Sequence, residues 1–196
     1  RVSPALPWLL HCPPHSLSTE AVALMLGRLR RDPDFLTQIL GADPRQAATL
    51  ARRSQELLRD ERLVFIRWCL VMVRFEQAIY RDPAADLTSV WWDLVERLQG
   101  LHRPEGRQQP DWAAKIHLAH APVYYQNYAL GELMAAQLDA AVRAAAGGFI
   151  GRPEAGAFLT ERVFAPGASF TWSGLIESAT GRPLGVEAFL DDSTRG

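Results

Sequence analysis

Residues 110–138 bring together side chains that could act on one substrate. Lys115 and His117 are two residues apart, so in an extended loop their side chains would point the same way. Tyr125 and Tyr128 are three apart, so at the start of a helix they would share a face. A cation, an imidazole and two phenols in one cleft would suit a carbonyl substrate that bears a carboxylate. The lysine would hold the carboxylate, while the imidazole and phenols would donate to a developing oxyanion.

Plainer interpretations of this segment remain open. The tyrosines, including Tyr124, could simply pack the helix, and His117 could be a hydrogen-bonded loop residue. His117 and His120 could also form a metal-binding pair, but no third ligand is evident nearby.

A second candidate lies near the N-terminus, where His11 and His15 have the spacing at which a helix presents two imidazoles to one zinc ion. The residues between them read Cys-Pro-Pro. Two consecutive prolines are incompatible with a helix interior, and no glutamate follows the first histidine to act as a base. We therefore expect a loop with two solvated histidines. Glu20, close behind, is on local grounds a first-turn carboxylate favoured by the helix dipole.

Composition narrows the function classes. The chain of 196 residues can bury one sizeable core, and its net charge of −1 offers no excess positive field for nucleic acid. The longest apolar run, residues 63–73, contains Arg67 and is too short to span a bilayer. The 21 basic residues include a single lysine, Lys115. Cys12 and Cys69 could be two thiols or one disulfide, which leaves the redox compartment open.

The elements that must position these residues are helices, and the sequence predicts a mostly α fold with no strand. Ser18 is expected to cap the first helix, and Asp43-Pro44 to begin the second. The predicted helices cover residues 18–31, 44–58, 60–81, a short segment around Trp91 and Trp92, 122–146, 154–163, 172–180 and 186–190. Residues 100–111, rich in Pro, Gly, Arg and Gln, are expected to form an exposed loop. We expect residues 1–196 to form a single helical domain.

The order of several motifs resembles the C-terminal half of the angiotensin-converting-enzyme-like peptidyl-dipeptidase family, especially its bacterial relatives. The motifs cover most of the chain and are STEAVALMLGRL, FIRWCLVMVRFEQAIY, DLTSVWWDLVERLQGL, DWAAKIH, PVYYQNYALGEL and GASFTWSGLIESATGRPL. The resemblance implies a multi-helical lobe of a clefted, gluzincin-type zinc metallopeptidase. It also implies removal of short units, chiefly dipeptides, from peptide C-termini by attack of a zinc-bound water.

The resemblance assigns roles residue by residue. Glu20 matches the glutamate that serves as the third zinc ligand. Lys115 matches the lysine that grips the substrate's C-terminal carboxylate, and His117 matches the histidine that hydrogen-bonds the scissile region. Tyr125 and Tyr128 match the carboxylate-binding and oxyanion-stabilising tyrosines. The spacing after His117 is one residue longer than in the family, so Tyr124 competes with Tyr125.

The family's His-Glu-x-x-His motif, which holds two further zinc ligands and the base, does not occur in this chain. Counting back from Glu20 by the family's spacing places that motif just upstream of Arg1. We therefore expect this chain to be the C-terminal part of a longer peptidase, inactive alone, whose partners are a peptide substrate and the upstream part. Asn127 stands where animal members carry a chloride-binding arginine, so chloride activation is not expected. A bacterial relative of this kind could be periplasmic or secreted.

The competing hypothesis is a non-catalytic helical module that binds peptides without cutting them, or a peptidase relative that has lost its metal site. The residues encoded before Arg1 discriminate between the two hypotheses. A His-Glu-x-x-His motif there supports the peptidase, and its absence supports the binding module.

Overall fold

A computed structural model describes residues 2–194 and is 71% helix. No β-strand occurs among these residues, so the predicted mostly α fold is confirmed. The α-helices are, in chain order, α1 (Ser16–Gly27), α2 (Pro44–Arg81), α3 (Leu87–Gln99), α4 (Ile116–Ala119), α5 (Gln126–Ala146), α6 (Pro153–Leu159), α7 (Trp172–Thr180) and α8 (Glu187–Thr194).

The first helix begins two residues earlier than predicted. The Nδ1 atom of His15 accepts a hydrogen bond from the Leu17 amide at 3.1 Å and thereby caps α1. Ser18 is buried inside the helix, so the prediction that it is the cap is wrong. An imidazole nitrogen can accept a hydrogen bond from an unpaired amide at the start of a helix, as a serine hydroxyl oxygen can.

Helix α2 is one continuous helix of 38 residues, whereas the sequence predicted a break near residue 59. Its start is as expected, since Asp43 Oδ1 accepts hydrogen bonds from the amides of Arg45 and Gln46. The segment after Pro44 contains neither glycine nor proline until Pro83. An aspartate such as Asp60 within a helix costs well under about 1 kcal/mol, which is too little to end it.

The chain divides into two compact units, each described by itself. Unit 1 holds the chain up to Leu57 and from Leu130 onward, and unit 2 holds Leu58–Ala129. The chain passes from one unit to the other within α2 and again within α5. The sequence prediction of a single helical domain did not anticipate this division into two compact units.

The core of unit 1 lies between helices α1, α5, α6 and α7. Its buried side chains are Leu17, Ala21, Met25, Met134, Ala135, Leu138, Val142, Ala155, Leu159, Val163, Leu175, Ile176 and Ala179. An ionic network ties the end of α1 to this core. Arg28, only 4% exposed, donates to Glu132 Oε2 at 2.9 Å and to Asp192 Oδ2 at 3.0 Å.

The core of unit 2 is aromatic and lies between α2 and α3. Val71, Met72 and Phe75 of α2 pack against buried residues of α3 (Trp91, Leu94 and Val95). Trp68, Trp112, Leu118 and Tyr125 are partly buried against the same cluster. Asp86 caps α3 by accepting from the Ser89 amide, and residues 100–110, which follow α3, contain no helix and are almost all exposed.

Within residues 2–194, none of the helices has both the length and the apolar character that crossing a bilayer requires. Cys12 is exposed and Cys69 is buried, and the two do not form a disulfide with each other.

Candidate functional site

His117 and Tyr128 contact each other directly in unit 2. His117 Nε2 lies 3.2 Å from Tyr128 Oη, and the two rings meet edge to face with their centroids 5.7 Å apart. Helix α4 carries His117, and the first turn of α5 carries Tyr128. Either group can be the donor, according to the imidazole tautomer. His117 and Tyr128 therefore form a hydrogen-bonded pair that joins α4 to the first turn of α5.

Two more phenol rings surround the His117 imidazole. The ring centroid of Tyr125 lies 4.8 Å from that of His117, and the ring centroid of Tyr124 lies 6.1 Å from it. Tyr128 contacts both of these tyrosines, with centroid distances of 5.4 Å to Tyr124 and 5.3 Å to Tyr125. The expected shared face of Tyr125 and Tyr128 is present, although Tyr125 precedes α5 instead of lying in it. Both candidates for the substrate-binding tyrosine contact the histidine.

Lys115 lies over two indole rings. Its Nζ atom is 5.2 Å from the centroid of Trp68 and 5.6 Å from that of Trp91. These distances are within the range of cation–π attraction, which contributes about 0.5–2 kcal/mol. Among the described residues, no carboxylate forms an ion pair with this ammonium group. The pKa of the Asp111 carboxyl is lowered chiefly by its hydrogen bond from Arg107 and also by the charge of Lys115, so an acidic residue that is already paired with Arg107 lies near this cation. The ammonium group itself carries three N–H donors that a carboxylate can accept.

Trp68 connects the lysine to the tyrosines. Its Nε1 donates a hydrogen bond to Tyr125 Oη at 2.9 Å. Burial raises the pKa of the Tyr125 phenol, and the indole N–H, which favours the phenolate, acts in the opposite direction. Because the hydroxyl accepts from Trp68 and keeps its proton, that proton can be donated to a ligand.

The local backbone differs from the predicted extended loop. Lys115 is extended, with φ −85° and ψ 104°, but the next residues form the one-turn helix α4. His117 is therefore helical, and the prediction that Lys115 and His117 both lie in an extended loop is wrong. The two side chains are linked instead through Trp68 and Tyr125.

Glu20 lies in unit 1, in the second turn of α1, and is partly buried. Since α1 begins at Ser16 and has no acidic residue in its first turn, the interpretation of Glu20 as a first-turn carboxylate is wrong. Helix α5 passes close by, because a Cβ added to Gly131 would lie 3.3 Å from the Cβ of Glu20. Only a glycine allows this close approach without displacement.

His11 and His15 each make a hydrogen bond within their own segment and do not form a metal-binding pair. His11 Nε2 donates to the Leu6 carbonyl at 2.9 Å, and His15 caps α1. His120 is exposed at the end of α4. Within residues 2–194, no group of three or more His, Cys, Asp or Glu side chains is placed to hold a metal ion. Glu20, the zinc ligand that the resemblance implies, belongs to no such group among these residues.

Sequence reasoning missed Trp68 and Trp91 as members of the site. The simpler interpretation of both residues is that they are core aromatics, and they do pack in the core. Trp91 is 2% exposed, and the two indoles meet edge to face. The one available signal was the isolated Lys115, since a half-buried ammonium group needs either a carboxylate or an aromatic face.

The arrangement combines an anion-binding group with hydrogen-bond donors. Lys115 can hold a carboxylate, and the Tyr125 hydroxyl can act as a hydrogen-bond donor. The His117–Tyr128 pair can donate to an oxygen that gains negative charge, as in an oxyanion hole. Protein-family models, curated proteins and solved structures yielded no match to this chain.

Proposed function

We propose that this chain is the substrate-binding and oxyanion-stabilising part of a zinc metallopeptidase that removes short units, chiefly dipeptides, from peptide C-termini. The observation that carries the proposal is the continuous series of contacts Lys115–Trp68–Tyr125–His117–Tyr128. The series joins a cation, for which no described carboxylate lies within ion-pair distance, to a group of hydrogen-bond donors. The motif resemblance described above supports the same assignment.

Lys115 binds the C-terminal carboxylate of the peptide in this proposal. The indoles of Trp68 and Trp91 hold the ammonium group in place without neutralising it. A carboxylate brought to that group forms a charge-assisted hydrogen bond, which is stronger than one between neutral groups. Tyr125, or Tyr124 beside it, supplies a second donor to the substrate.

His117 and Tyr128 stabilise the transition state. When water adds to the scissile carbonyl, the oxygen becomes an anion, and a donor from this pair stabilises the anion more than it stabilises the starting carbonyl. The contact between His117 Nε2 and Tyr128 Oη holds both groups before the substrate arrives.

Glu20 is the proposed zinc ligand from this chain, together with two histidines from the upstream part. A carboxylate oxygen is a normal zinc ligand, so Glu20 has the chemistry required for one position of a three-ligand catalytic site. Zinc bound there would polarise the carbonyl and activate water.

A peptide-binding module without catalysis is the second candidate. It is favoured by one observation: the whole Lys115–Tyr128 group lies in unit 2 and uses no metal ligand. The experiment that separates the candidates is incubation of the longer protein with a free-acid peptide and zinc, followed by mass analysis of the products. Release of C-terminal dipeptides supports the peptidase, whereas binding without cleavage supports the module.

A further inference from the structure

Val123 has a left-handed backbone. Its φ is +55°, and it is the sole non-glycine residue with positive φ in the described part of the chain. A β-branched residue rarely adopts this conformation, because its Cβ substituents crowd the following carbonyl group. The Val123 side chain is 61% exposed, so packing does not offset the strain. Something else holds this residue in place.

Hydrogen bonds hold both of its peptide groups. The amide of Val123 donates to Glu76 Oε1 at 2.6 Å, and its carbonyl accepts from Gln126 Nε2 at 2.6 Å. The bond to Glu76 is charge-assisted when the carboxylate is ionised, and such bonds are roughly twice as strong as neutral ones. Glu76 is 8% exposed and sits on α2.

The strained residue stands directly before the tyrosines of the candidate site. Helix α2 fixes this segment at two points, since Glu76 binds the Val123 amide and Trp68 binds the Tyr125 hydroxyl. Tyr124 lies between the two anchored residues. A third residue of α2, Phe65, meets the ring of Tyr128 edge to face at 6.0 Å.

We propose that Glu76 is a positioning residue: by binding the Val123 amide it keeps that residue left-handed and so sets the placement of Tyr124, Tyr125 and Tyr128 around His117. The consequence for catalysis rests on the proposed peptidase function, whereas the positional effect does not. Strain held by surrounding contacts is typical of segments that prearrange a site.

The first test needs no variant and no ligand. Hydrogen exchange measured by NMR on the full chain should show the amide of Val123 strongly protected, because its proton is bound to Glu76. An unprotected Val123 amide would overturn the proposal.

The second test uses Glu76→Ala, with Tyr80→Phe as the matched control. The Tyr80 hydroxyl donates to the same Glu76 oxygen at 3.2 Å, so its removal disturbs Glu76 without touching Val123. Glu76→Ala should shift the indole N–H resonance of Trp68, which Glu76 does not bind, and speed exchange at Val123 by about tenfold or more. Tyr80→Phe should leave both unchanged. A folded Glu76→Ala protein with an unaltered Trp68 resonance would contradict the proposal.

Conservative variants cover the case in which Glu76→Ala does not fold. Glu76→Gln keeps an acceptor oxygen and should restore the Trp68 resonance, whereas Glu76→Asp withdraws the oxygen by one methylene and should not. Val123→Gly should raise the resistance of the chain to denaturant, since glycine adopts positive φ freely and the exposed valine leaves no cavity. A clear loss of stability in Val123→Gly would show that the residue is not strained.

In an active longer protein, Glu76→Ala should lower kcat by about tenfold or more, because it misplaces the His117–Tyr128 pair. KM should rise as well, by a smaller factor, because Tyr124 and Tyr125 supply the second donor to the substrate. If the resonances shift as expected but the longer protein cleaves no peptide, the positioning role stands and the proposed function fails.

Discussion

His117 Nε2 and Tyr128 Oη lie 3.2 Å apart, which joins the short helix α4 to the first turn of α5. In the proposed peptidase this pair acts on the developing oxyanion. Tyr128→Phe removes the hydroxyl while keeping the ring contact with Phe65 and the other tyrosines. We expect kcat of the longer protein to fall by about 100-fold or more, with KM little changed, because the bond strengthens only in the transition state. We expect the same fall in kcat, with KM little changed, for His117→Ala. A rise in KM alone would assign the pair to ground-state binding.

Tyr125 should make the folding stability of the chain depend on pH in the alkaline range. Burial raises its pKa above the ordinary value of 10.0, so the folded chain binds this proton more tightly than the unfolded chain does. The resulting stability is present below the unfolded-state pKa and is lost as pH rises through the folded-state pKa. Tyr125→Phe should flatten this alkaline decline in denaturant titrations.

The indole of Trp68 should act in the opposite direction on the same group. Trp68→Phe removes the N–H that favours the phenolate, so the pKa of Tyr125 should rise further. Ultraviolet absorbance of tyrosinate, compared with Tyr125→Phe as the blank, measures this shift. A fall in the pKa would mean that the indole N–H does not stabilise the phenolate.

Among the ionic residues of unit 1, we expect Arg28 to contribute most to stability. Arg28→Ala leaves the buried carboxylate of Glu132 without this partner, which typically costs about 3–5 kcal/mol. The matched control is Arg52→Ala, whose pair with Glu56 is exposed on both sides and should cost less than about 1 kcal/mol. Chemical denaturation measures both changes, and equal effects would contradict the assignment.

Zinc binding in the longer protein should depend on Glu20 and not on the N-terminal histidines. Glu20→Gln replaces an anionic ligand with a neutral amide and should lower zinc content markedly. His11→Ala should leave zinc unchanged. His15→Ala should cost about 0.5–2 kcal/mol of stability through the lost cap, again without loss of zinc. The present chain alone should not bind zinc tightly, and micromolar or better affinity would count against an upstream metal site.

The sequence was sufficient for several helix ends. Asp43-Pro44 marks the start of α2, Asp82-Pro83 follows its end, and Gly147 with φ +75° ends α5, because caps and breakers act within a turn. The continuity of α2 past Asp60 was missed because a polar residue weakens a helix without breaking it.

Contacts between distant residues were beyond sequence reasoning. The placement of Lys115 on Trp68 and the binding of the Val123 amide by Glu76 join segments far apart in the chain, and no periodicity encodes them. His15 as a cap was missed for a different reason: the rule for caps favours short polar side chains, and an imidazole nitrogen can do the same work.

Lys115 offers the most direct test of the central claim, that a peptide is bound by its C-terminal carboxylate. The measurement is calorimetric binding of one short peptide, as free acid and as C-terminal amide, to the full chain and to Lys115→Met. Methionine keeps an unbranched stem against the indoles but carries no charge. A charge-assisted bond contributes about 1.5–3 kcal/mol, or roughly 10- to 150-fold in Kd. We expect the chain to prefer the free acid by such a factor, and Lys115→Met to lose that preference while binding the amide unchanged. Equal weakening of acid and amide would show that Lys115 is structural and would contradict the account.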